Sequence, residues 1–280
     1  MTSLTLFSIS MYMYLCTFLL YLFFAVHSKR YIGIAATSLI SAGLLIHTLG
    51  LIYRWAETHR MGYGYIPLSN MYESLIFFSW TIVLIYLVLE FRFKQRIIGT
   101  FASVFACIAI AASSILPGVS AEIKPLMPAL QSNWLAIHVI TCFFGYAAFA
   151  VSFVVSMLFL IQHRRGAIDK PIGWLPNTRI LDEINYRSIV IGFPMLTVGI
   201  ITGAAWAHYA WGSYWTWDPK ESWSLITWLI YAAFLHARIS RDWRGRRMAF
   251  LSMFGFLAVL FTYFGVSYLL AGLHSYATPS

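Results

Sequence analysis

WAHYAWGSYWTWDPKESWSLITWLIYAAFLH, residues 206–236, is the stretch on which the reading of this chain turns. It holds six tryptophans (Trp206, Trp211, Trp215, Trp217, Trp223 and Trp228) around the short charged segment Asp218-Pro219-Lys220-Glu221, with His208 and His236 near its ends. From Ser222 onward it becomes an apolar run of membrane-spanning character, so the charged segment marks the point where a helix enters a bilayer.

The rest of the chain agrees with that setting. Of 280 residues, 60% are apolar, 18% aromatic and only 10% charged, against about 25% charged in a soluble domain. A span of the hydrocarbon core takes about 20 apolar residues, and the chain offers eight such segments, roughly 5–27, 32–54, 70–91, 97–117, 133–162, 187–210, 222–239 and 247–274. Continuous runs of this length satisfy their backbone as helices; barrel strands alternate and are shorter. The predicted fold is all-α, a polytopic membrane bundle of about eight transmembrane helices forming one integral membrane domain over 1–280. The first segment reads as a retained helix: it is too long and too lightly basic for a cleaved signal peptide.

The net charge of +9 is a topology signal. With both termini on the outer (periplasmic or lumenal) side, the inner loops hold Lys29 and Arg30, then Arg92, Lys94 and Arg96. They also hold Arg164, Arg165, Lys170, Arg179 and Arg187, then Arg238, Arg241, Arg244, Arg246 and Arg247. Only Arg54, Arg60, Lys124 and Lys220 fall outside. This bias obeys the positive-inside rule, and the anionic inner leaflet accounts for it. Basic residues placed in this way do not form a nucleic-acid surface, and no nucleic acid is expected as a partner.

The three cysteines, Cys16, Cys107 and Cys142, lie in apolar spans without CxxC spacing, so they read as small core residues, neither a disulfide nor a zinc site. No CxxCH is present for covalent haem. At the start of the third span, Asn70 and Glu73 have capping-box spacing, while an acid at a membrane edge also suits a site. The fourth span is rich in small residues around 106–114, which favours close helix packing. The segment 164–186 reads as the longest polar loop, on the inner side, and the outer loop 54–69 is turn-rich at Gly62 and Gly64.

With acids and thiols so scarce, the eight histidines are the metal-ligand candidates. His27 and His163 lie at inner ends beside basic residues, and His59 in an outer loop. His138, one turn into the fifth span, and His274, at the outer end of the last, share the outer level although they are 136 residues apart. His208 lies near that level and His47 deeper. His236 lies 13 residues beyond Trp223, roughly 20 Å inward at 1.5 Å per residue. Two histidines at one depth, beside broad aromatic walls, suit a flat apolar macrocycle with axial demand. The neutral imidazole supplies the ligand, and its other nitrogen is held by a neighbour.

An interfacial aromatic belt accounts for part of the tryptophan stretch. Asp218 reads as a helix N-cap, Pro219 as the first helical residue and Glu221 as the capping-box acid. The belt does not account for the density of aromatics, which would shield a porphyrin and leave one edge open. From the residues alone, haem or a similar flat ligand stands first and quinone second.

WGSYWTWDPKESWSLITWLIYAAFLHAR (211–238) closely resembles the WWD signature of the cytochrome c biogenesis proteins of the CcsA/ResC family. The resemblance extends to PLSNMYESLIFFSW (67–80), NWLAIHVITCFFGYAAFA (133–150) and GLHSY (272–276), and covers most of the chain from about residue 47. It implies haem transport and covalent attachment of haem b to apocytochrome c on the outer face of a bacterial cytoplasmic membrane. Under it, His138 and His274 are axial ligands of an outer haem, and His236 is a ligand of an inner one. The tryptophan segment 206–228, with Trp211, Trp215, Trp217, Asp218, Trp223 and Trp228, holds the outer haem with its vinyl edge exposed.

The implied activity is that of a cytochrome c haem lyase (synthase) subunit forming thioethers, with no catalytic acid beyond haem positioning. Implied partners are a CcsB/ResB-like membrane subunit, apocytochrome c with a reduced CxxCH, and a thioredoxin-like thiol reductant. The partner subunit is expected to give the second ligand of the inner haem, with His47 as an internal substitute. Alternatives are a WWD protein that loads haem on a chaperone without ligation, a quinone-linked b-type cytochrome subunit with stacked histidine pairs, and a solute carrier with no haem.

Overall fold

The computed structural model describes residues 2–164 and 175–270, and every regular element among them is helical. Eight long helices follow one another: α1 Ser3–His27, α2 Arg30–Arg60, α3 Met71–Phe93, α4 Ile98–Ile115, α5 Asn133–Arg164, α6 Thr178–Trp211, α7 Pro219–Ser240 and α8 Arg246–Leu269. All but α7 are long and apolar enough to cross a membrane. In α7 three tryptophan and tyrosine rings, three serines and the charged first turn lower the mean hydropathy. The protein is a multi-pass membrane protein with the expected helix count and order.

Two boundaries differ from the sequence reading. Helix α2 runs on to Arg60, so Arg54 and His59 are helical where a loop was expected. Helix α6 starts at Thr178, capped by the Asn177 side chain, which accepts from the Ile180 amide at 2.9 Å. Residues 178–186 are therefore helix in what read as an inner loop. In both cases a charged amphipathic extension continues a helix beyond its apolar span, and hydropathy alone does not register it. The expected eighth span to 274 is helical to Leu269, with a π-helical turn at Phe261–Gly265; residues 271–274 lie outside the described residues.

The chain forms two compact units, Met1–Val139 and Ile140–Ser280. In the first, polar groups are buried in pairs. Near the α3–α4 turn, Glu90 accepts from Tyr86 and Thr37 hydroxyls and from Arg96 Nε at 3.2 Å, and the Tyr86 and Tyr21 hydroxyls lie 2.7 Å apart. A low-dielectric interior makes such a carboxylate tolerable only when it is fully bonded. At the other end of α3, Arg54 Nε and Nη2 donate to Glu73 Oε1 at 3.3 and 3.2 Å, and both side chains are almost wholly buried. In the second unit, Phe149 of α5 stacks on Tyr231 of α7 at 3.6 Å. Helices α5 and α6 approach closely at Gly145, Gly192 and Gly199, where a Cβ on Gly199 would lie 2.5 Å from Cys142 Sγ. Small residues permit that approach. Asp182 of α6 ties down the end of α7 through Arg238 at 2.7 Å, and the following turn by accepting from the Gly245 amide at 2.9 Å.

Candidate functional site

The tryptophan stretch divides at Gly212, which ends α6 in the left-handed region with φ 78°. The segment 213–218 then crosses to α7, where Asp218 is the N-cap, accepting from the Lys220 amide at 2.9 Å, and Pro219 is the first helical residue. The expected capping box is present. The Glu221 carboxylate does more than close it: Oε2 accepts from the amides of Thr216 at 2.7 Å and Asp218 at 3.2 Å, and from the Thr216 hydroxyl at 3.3 Å. Those residues flank Trp217, which has φ 60°. That backbone region is costly for a bulky residue, and here two hydrogen bonds from one carboxylate hold it. The result is an indole 69% exposed to its surroundings.

Other rings in the segment are arranged in pairs. Trp215 meets Trp217 edge-on at 5.7 Å, Trp206 meets Trp211 at 4.9 Å, and His208 stacks flat on Tyr214 at 4.2 Å. The Trp215 Nε1 is buried and has no hydrogen-bond partner among the described residues, and the same holds for Glu221 Oε1. Buried donors are normally satisfied, so an unpaired indole N–H in an aromatic surface suits a ligand that brings an acceptor. Trp223 and Trp228 serve differently. Trp223 packs on Phe261 of the π turn at 4.3 Å. Trp228 Nε1 donates to Thr197 of α6 at 2.9 Å, which places it as an inter-helix fastener inside the second unit.

His236 lies near the far end of α7, about 25 Å from Pro219 by helical rise. It is exposed on the surface of its unit, with Nδ1 3.5 Å from the Ser240 hydroxyl. His138 lies in the second turn of α5 and is half-buried. His274 lies outside the described residues. His47 is sealed: it has no exposed surface, Nδ1 is 3.2 Å from the Tyr14 hydroxyl, and Phe7 packs edge-on at 5.5 Å. Its Nε2 is buried without a hydrogen-bond partner among the described residues. That packing leaves no face of the imidazole open to a macrocycle.

In the first unit a cavity of about 420 Å³ opens beside the start of α5, lined by Tyr63, Tyr65, Ser69, Gln131, Asn133 and Ala136 among others. The Tyr65 hydroxyl donates to the Lys124 carbonyl at 3.1 Å, and burial pushes its pKa up. Of the four basic residues expected outside, Arg54 is consumed by Glu73, and Lys124 pairs with Glu122 at the surface. Arg60 lies over the Tyr53 ring. Glu73 forms only half a capping box: its amide donates to Asn70 Oδ1 at 2.9 Å, while its carboxylate goes to Arg54 and to the Ser69 amide and hydroxyl. Sequence reasoning missed the Arg54–Glu73 pair and the Trp217 backbone; for the pair, the one available signal was an arginine expected at the same membrane level as the acid.

A multi-pass helical membrane protein presenting a clamped tryptophan platform at the α6–α7 turn is the class these elements define. Residues 68–274 match the family model described as Cytochrome C assembly protein, and the chain belongs to that family. It is 41% identical over 268 residues to the cytochrome c biogenesis protein CcsA of Pyropia yezoensis, covering 82% of each chain. It is 39% identical over 285 residues to CcsA of Synechococcus sp. (strain CC9311), covering 91% of each. Among solved structures it is similar to Cytochrome c Heme Lyase CcmF, with TM-score 0.64 and 19% identity over 92% of this chain. The chain spans 46% of that protein's length, and the likeness is one of fold.

Proposed function

We propose that the protein works as a single membrane domain that carries haem b to the outer face and attaches it to the CxxCH of apocytochrome c, together with a CcsB/ResB-like membrane subunit. The observation that carries this reading is the exposed Trp217 platform held by Glu221, in a chain of the cytochrome c assembly family. Haem is the substrate. His138 and His274 serve as axial ligands of the outer haem and His236 as a ligand of an inner one. An exposed His236 suits a ligand shared with another subunit, and the sealing of His47 leaves the second inner ligand to that subunit.

At the platform, Trp211, Trp215 and Trp217 hold the macrocycle, with Asp218 fixing the segment, Trp223 bracing its edge against Phe261 and Trp228 anchoring α7. Each cysteine thiol adds across a vinyl group: sulfur bonds to the inner vinyl carbon and the thiol proton ends on the outer one. No electron is transferred and nothing leaves. Reduced thiols are required, so a thioredoxin-like reductant is a partner. Positioning supplies most of the acceleration. The membrane is the bacterial cytoplasmic membrane or its topological equivalent.

Co-expression with a CxxCH reporter cytochrome in a host lacking other maturation systems tests the proposal. Covalent haem on the reporter should depend on this chain. Loading of free haem onto an acceptor without thioether formation would favour the chaperone-loading alternative.

A further inference from the structure

Resting on that reading, we infer that Lys220 holds a carboxylate of the haem substrate, an anchoring role for its propionate edge. Lys220 stands in the first turn of α7, half-buried, two residues after the N-cap. Its ammonium donates to Ser267 Oγ at 3.2 Å and forms no ion pair among the described residues. Asp218 and Cys142 are within electrostatic reach, but Asp218 is already bonded to the helix cap. The half-buried ammonium feels the Asp218 charge but makes no direct ion pair among the described residues, and an incoming carboxylate supplies one.

The placement of Lys220 suits that role. Ser267 follows the π turn Phe261–Gly265, against which Trp223 packs, and its hydroxyl in turn donates to the Tyr263 carbonyl at 2.7 Å. π turns recur at functional sites. In the sequence, Ser267 lies seven residues before His274, the expected outer ligand. On a haem, the two propionates occupy the edge opposite the vinyls. Anchoring the acid edge at Lys220 therefore turns the vinyl edge away from the helix end, toward an arriving peptide. The other outer cations do not compete: Arg54 and Lys124 have carboxylate partners, and Arg60 is exposed on the surface of the other unit.

The test uses the full chain purified with its partner subunit in neutral detergent, titrated with haem and with haem whose propionates are methyl esters. The wild type should prefer the free acid by about tenfold, the size of one charge-assisted hydrogen bond. Lys220→Met should bind both porphyrins alike, Lys220→Arg should restore the preference, and Arg60→Met should leave it unchanged. Helicity and elution volume establish that the variants are folded. A wild type that binds haem without preference, or a Lys220→Met variant that keeps the preference, overturns the inference alone. Loss of anionic phospholipid from Lys220→Met with haem selectivity intact also overturns it and assigns the lysine to a lipid headgroup. A wild type that binds neither porphyrin overturns the function on which the inference rests.

Discussion

Glu221 spans Trp217: one carboxylate oxygen accepts from the amides of Thr216 and Asp218, the residues on either side of it. The acidic segment is therefore a helix cap and a clamp at once. It keeps a large aromatic residue in a backbone conformation that the residue would not adopt unaided, with the indole presented outward.

Replacing Glu221 by Ala should remove the clamp and its half of the capping box. Asp218 still caps the helix, but losing the hydrogen bonds accepted by Glu221 costs about 1 kcal/mol each, read as a lower unfolding midpoint, and the freed Trp217 should relax, read as reduced haem content at equal protein. Trp217→Gly separates the two effects. Glycine accepts a positive φ without penalty, so its stability should stay near wild type while haem retention falls.

The Arg54–Glu73 pair is structural. Breaking a buried ion pair by removing one partner costs about 3–5 kcal/mol. Arg54→Met and Glu73→Gln should each lower the unfolding midpoint strongly, and the double variant should lose less than the sum of the two. Additive losses would show that the pair is not coupled.

His47 should be silent in the haem spectrum. Its imidazole is enclosed by Phe7 and Tyr14, so His47→Leu should change stability by about 1–3 kcal/mol through the stranded Tyr14 hydroxyl and leave the absorption bands in place. A shifted Soret band in a folded variant would make His47 a ligand.

His236 should behave in the opposite way. It is exposed on α7 far from the cap, so His236→Ala should leave the unfolding midpoint unchanged and remove the inner haem. Unchanged haem stoichiometry in the co-purified assembly would remove it from the pathway.

Much of this was legible in the sequence. Long apolar runs bounded by basic turns give the helix order, and Asp218, Pro219 and Glu221 give the start of α7 because capping chemistry is local. Partners distant in sequence were not legible. Glu73 reads as a cap because Asn70 is three residues away, but its carboxylate goes to Arg54, 19 residues distant on another helix. The backbone of Trp217 was hidden for a related reason: tryptophan carries no preference for positive φ, and only the folded clamp imposes it. Lys220 was one of four equivalent outer cations until the structure gave two of them carboxylate partners.

The most direct test of the central claim is the absorption spectrum of the protein purified with its partner subunit, compared with His138→Ala and His274→Ala. The account predicts a bis-histidine haem spectrum in the wild type, and altered ligation or lost haem in each variant. An identical spectrum and haem content in both folded variants would contradict it.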